Sequence, residues 1–66
     1  MKRGDVIQVR AYPDKLLSRI LWEEHATWVM VCRQEVYQDV LNQGCDEPAV
    51  WMGFPKEDVV SKLVHD

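Results

Sequence analysis

Apolar and polar residues alternate along residues 5–12, with Ile7, Val9 and Ala11 on one face and Gln8, Arg10 and Tyr12 on the other. That period of two predicts a strand with one buried face. Tyr12-Pro13-Asp14 should end it, because proline offers a ladder no donor and Pro-Asp is turn chemistry. Two more apolar-rich runs, 16–23 and 27–33, predict a hairpin turning at Glu23-Glu24-His25-Ala26. With no glycine there for a primed two-residue turn, a longer loop built on a type I turn is expected. A two- or four-residue loop sets Ile20 opposite Val29 and Leu21 opposite Trp28, whereas a three-residue loop sets Trp22 opposite Trp28 and Ile20 opposite Met30. The pattern does not choose between them. In both cases each strand carries apolar residues on both faces, whereas a sheet open to water alternates cleanly. The outer face must therefore be covered by a helix of the chain or by another subunit.

The period lengthens over residues 34–43. Val36, Tyr37, Val40 and Leu41 form one stripe and Gln34, Gln38, Asp39 and Asn42 lie opposite, which predicts an amphipathic helix. Gly44 follows where a left-handed cap is wanted. A helix this short is marginal in water on its own, so its stripe, Leu41 included, is expected to dock on the outer or end face of the sheet. After the acidic loop Cys45-Asp46-Glu47-Pro48, a fourth strand is expected over 49–54, then a single 3₁₀ turn over 56–58. Val59, Val60, Leu63 and Val64 suit either a helix or a closing strand, and the β-branched pair favours the strand. The expected core is Ile7, Val9, Ile20, Val29, Val31, Val50 and Phe54. The fold class is thus mainly β with one short helix: a small barrel of four to five antiparallel strands, closed on itself, with the helix inserted before the fourth strand.

Gly4-Asp5-Val6-Ile7-Gln8-Val9 at the first strand and Gly53-Phe54-Pro55-Lys56-Glu57-Asp58-Val59 at the barrel closure carry a resemblance to SH3-like small barrels. The chain is also similar to short uncharacterised bacterial proteins that open with a Lys-x-Gly-Asp strand and close with Gly-Phe-Pro. The resemblance implies a single SH3-like domain over residues 1–66, and the helix departs from the minimal barrel. Ala11-Tyr12-Pro13-Asp14 echoes the Ala-Leu-Tyr-Asp-Tyr element of peptide-binding SH3 domains, but the second tyrosine is missing, so that site is not carried over.

Sixty-six residues make one domain with a small core, which supplies only ~3–5 kcal/mol by itself. Association with a partner is the supplement this composition fits. No apolar run approaches the ~20 residues of a spanning helix, and Met1-Lys2-Arg3 leads into no apolar signal segment. A cytoplasmic protein is expected, with no membrane association. The net charge is −3 and the basic residues are scattered, which argues against nucleic acid as a partner. The alternative, a nucleic-acid-associated accessory barrel, would use Lys2, Arg3, Arg10 and Arg19 with Tyr12 as a stacking platform.

Chemistry-bearing residues are few. Cys32 and Cys45 form no C-x-x-C pair, and with His25 and His65 they match no zinc spacing, so free thiols and no metal are expected. Glu23-Glu24-His25 reads as a solvated turn, Ser18 and Ser61 lack a nucleophile context, and the three glycines are too dispersed to cradle a phosphate. No catalytic residue and no cofactor is expected. The aromatic set is the stronger signal: Trp22, Trp28 and Trp51, joined by Tyr12 and Tyr37, exceed what the core can hold. Those five either pack under the helix stripe or are the candidate partner-binding residues, because Trp and Tyr are enriched at interface hot spots. Trp28 and Trp51 are expected to be at least half exposed. The function expected is a non-enzymatic interaction module or homodimer, with a protein or peptide partner.

Overall fold

The alternating segment at the start of the chain becomes β1 (Val6–Ala11) in the computed structural model, which describes residues 2–63. It is followed by β2 (Lys15–Glu24), β3 (Trp28–Cys32), α1 (Gln34–Gln43), β4 (Met52–Pro55), a 3₁₀ turn (Lys56–Asp58) and β5 (Val59–Leu63). All neighbouring strands are antiparallel, in the order β4-β3-β2-β1-β5. The sheet curls into a half-barrel, and α1 lies between β3 and β4 as expected. Closure is incomplete among the described residues: β4 and β5 are the two edges of the sheet and are not paired with each other. The ambiguous end resolves as 3₁₀ turn plus strand, while Val64 lies outside the described residues.

Residues directly opposite in an antiparallel pair share a face, which separates two cores. On the inner face, Ile7, Val9, Leu21, Val29 and Val31 are buried, with Leu17, Phe54 and Val59 packed against them. On the outer face, Trp22, Met30 and Val40 form a second buried cluster with Trp28 and Tyr37 at its margin. The apolar character of both faces of β2 and β3 thus has a structural cause: α1 lies across the outer face.

The hairpin matches none of the registers considered. Glu24 pairs with Val29, Glu23 with Met30, Leu21 with Val31 and Ile20 with Cys32. The His25 N–H donates to the Trp28 carbonyl at 2.9 Å, so the connection is only Ala26-Thr27, later and tighter than expected. Glu23 and Glu24 looked like turn residues, but each has a cation at hand. Arg3 lies 3.8 Å from Glu23 and Lys56 2.8 Å from Glu24, and the strand runs on through them. The register shifts between Leu21 and Glu23, leaving Trp22 as the extra residue of a β-bulge. Bulges add right-handed twist, and here the turn beyond is made with no non-glycine residue at positive φ.

Helix α1 touches the sheet through Tyr37 and Val40. Gly44, at φ 66°, forms the expected left-handed cap and donates its N–H to the Val40 carbonyl. Leu41 is 56 % exposed, which corrects the expectation that it anchors the helix. One residue is 100° of helical rotation, so a helix seated on its Tyr37–Val40 line turns Leu41 to solvent. Leu41→Ala is therefore expected to shift stability by less than ~0.5 kcal/mol, as surface substitutions do. Urea denaturation of the variant checks this.

Gly4 enters β1 at φ 96°, and a Cβ there would lie 2.9 Å from the Tyr37 hydroxyl. A side chain there, just ahead of β1, would crowd the end of the Tyr37 ring. Val50, expected in the core, is 66 % exposed. The reason is that β4 starts at Met52, so Val50 belongs to the connection from α1 and not to the sheet.

Candidate interaction surface

Because β4 is an edge strand entered from an irregular connection, the residues just before it are held on only one side. Val50, Trp51 and Met52 are respectively 66 %, 46 % and 38 % exposed, a contiguous apolar run. Trp51 leans toward Trp28, with ring centroids 6.2 Å apart, and Trp28 stacks on His25 at 4.2 Å with the rings 14° from parallel. The row crosses Gly53, where an added Cβ would meet Trp28 Cε3 at 3.1 Å. Glycine inside the strand lets the Trp28 ring lie across β4. An aromatic row therefore runs from the hairpin tip over β4 to the apolar run.

The five candidate aromatics do not converge on one site. Trp22 is buried, stacked beneath the Arg3 guanidinium at 4.2 Å and met edge-on by Tyr37 at 6.1 Å. Its place is the helix–sheet seam, and the Arg3 Nε–H also donates to the Trp22 carbonyl at 2.8 Å. Tyr37 is half-buried in the same seam. Tyr12 is almost fully exposed, in the β1–β2 turn. Trp51 falls just short of half exposure, and Trp28, half-buried among His25, Gly53 and Trp51, is well below it. Only Trp28 and Trp51 share a surface. Val50 and Met52 were missed as surface residues because their apolar character reads the same in a core strand as in an exposed run.

The basic residues of the nucleic-acid alternative are also dispersed. Arg3 lies beside Trp22 at one end of β2, while Tyr12 and Arg10 lie at the end where Arg10 pairs with Leu16. Arg19 pairs with Ile7 and so lies on the inner face, whereas Arg10 alternates to the outer one. They form no stripe.

Polar groups elsewhere serve the fold. The Ser61 hydroxyl donates to Gln8 Oε1 at 3.0 Å across the β1–β5 pair. His25 Nε2 is 3.5 Å from Glu23, which also meets Arg3. Cys32 is buried, and burial raises its thiol pKa; Cys45 is exposed, and both are free. His65 lies outside the described residues. Among the described residues no group of three or more His, Cys, Asp or Glu side chains is placed to hold a metal ion. None of the described helices is long and apolar enough to cross a membrane.

Lys56 ties the corner beyond β4 to the hairpin, its N–H donating to the Thr27 carbonyl at 3.0 Å and its ammonium to Glu24 at 2.8 Å. The hydrogen bond and charge of Lys56 hold the Glu24 carboxyl below its usual pKa. A carboxylate whose pKa is depressed on folding adds stability above its unfolded pKa and loses it as pH falls through the folded one. Lys56→Met is therefore expected to flatten the acid limb of the stability profile. Urea midpoints for both proteins between about pH 6 and pH 3 check this, with the wild-type advantage present at about pH 6 and closing as pH falls below the ordinary carboxylate pKa of ~4.3.

No protein-family model matches the chain, no curated protein matches its sequence, and no solved structure matches it.

Proposed function

We propose that the chain is a non-enzymatic protein-interaction module that self-associates as a homodimer through the Val50-Trp51-Met52 surface. The observation that carries this reading is the contiguous exposure of these three apolar residues beside the aromatic row at an open sheet edge. Such an edge and patch are liabilities unless something covers them. A symmetric dimer covers both with one kind of contact. In this reading the module works in the cytoplasm, where its two free thiols stay reduced.

Light scattering at micromolar concentration tests the reading. The wild type is expected to approach the mass of two chains. Val50→Asp is expected to return it to one folded chain, since Val50 packs in neither core, with a denaturation midpoint equal to that of wild type diluted below its association range. A wild-type mass of one chain at every concentration overturns the proposal.

A further inference from the structure

Two cavities flank the Val50 ridge, and their charges are opposite. One, of about 270 Å³, has Arg19, Arg33 and Glu35 as its charged lining, with Glu35 3.9 Å from Arg33, so that its net charge is positive. The other, of about 310 Å³, is lined by Asp39 and Glu47 and by no basic residue. Val36 and Val50 belong to both and form the wall between them. Basic hollow, apolar ridge and acidic hollow therefore follow one another across a single surface.

The basic hollow also holds an unmet demand. Arg19 donates through Nη1 to the Ser18 carbonyl at 2.8 Å, but its Nε–H is buried and has no acceptor. A buried donor without a partner is costly, and an acceptor brought from outside the chain would satisfy it. Reaching it takes a displacement in the cavity wall, where Met52 is the flexible member.

We infer that the occupant of the basic hollow is the acidic rim of a second copy of this chain, with Glu47 of each copy set against Arg33 and Arg19 of the other across the Val50 ridge. This rests on the self-association proposed above and specifies its geometry. In a two-fold interface residue i of one copy meets residue j of the other, and j meets i in return. An axis passing over the Val50 ridge turns the acidic hollow onto the basic one, so a single surface supplies both halves of two equivalent ion-pair sites. The exposed acidic loop Asp46-Glu47 is what a self-complementary surface of this kind needs at that position. Opposite charge fixes the register, while the apolar ridge supplies the buried area.

Charge reversal tests the inference without touching either core, since Arg33 and Glu47 are both exposed. Self-association is measured by sedimentation for Arg33→Glu, for Glu47→Arg, for an equimolar mixture of the two, and for the double variant. Each single variant alone is expected to lose about tenfold or more in dimer affinity, because it meets its own charge twice. The mixture and the double variant are expected to recover most of that loss, since both restore opposite pairs. Wild-type dimer affinity is expected to fall as salt is raised. Single variants that associate like the wild type, or a mixture that recovers nothing, overturn the inference and leave the dimer reading standing. A wild type that never associates removes both.

Discussion

Trp22→Ala is expected to leave the chain largely unfolded at room temperature. Trp22 is 6 % exposed and joins the bulge of β2 to α1 through Met30, Val40 and Tyr37. Truncating a buried tryptophan costs ~3–5 kcal/mol, comparable to the ~3–5 kcal/mol that a core of this size supplies. Two smaller contributions go with it: the edge-on contact with Tyr37, about 0.5–1.5 kcal/mol, and the Arg3 cation over the ring, about 0.5–1 kcal/mol. The bond from Arg3 Nε to the Trp22 carbonyl is made to backbone and survives the substitution. Far-UV circular dichroism and urea denaturation check the loss. Were Trp22 an exposed binding residue, the variant would keep its fold and lose only association.

Leu21→Ala should be nearly as damaging from the opposite face. Leu21 is 1 % exposed, enclosed by Ile7, Val9, Val29 and Val31 on the inner side of the half-barrel. Leu→Ala in a core costs about 2–5 kcal/mol, depending on how far the surroundings collapse into the space. Little collapse is available here, because the backbone at Leu21 is pinned. Its N–H donates to the Asp5 carbonyl and its carbonyl accepts from Gly4 N–H, both at 2.8 Å. The variant is expected to show a lowered urea midpoint with an unchanged slope. Adjacent residues on β2 thus anchor different cores, and the paired results would show that neither face of the sheet is dispensable.

Much of this architecture was legible in local pattern. The alternation at Ile7 and Val9, the helix itself with Gly44 after it, and the turn before Val59 each follow from short-range rules, and all are present. The hairpin register was not legible, because it depends on partners far along the chain. Glu23 and Glu24 extend the strand beside Arg3 and Lys56, which nothing in their own neighbourhood announces. Trp22 and Trp51 are chemically identical in the sequence. A bulge under α1 buries one, and the unpaired approach to β4 exposes the other. The requirement that something cover the outer face was readable, but how much of it one short helix covers was not. Arg19 gave no sign of its orphan donor, since its place on the inner face follows from the register with Ile7.

In the proposed dimer Trp51, and not Trp22, faces the second chain, and ¹⁹F NMR of the protein labelled with 5-fluorotryptophan distinguishes the two. Three resonances are expected, one for each tryptophan. As concentration rises through the association range, the Trp51 resonance should shift and lose its solvent isotope effect, while the Trp22 resonance stays fixed. A Trp51 resonance that remains solvent-exposed and unmoved while the mass of the particle doubles would show that the dimer is built elsewhere and rule out the Val50-Trp51-Met52 interface.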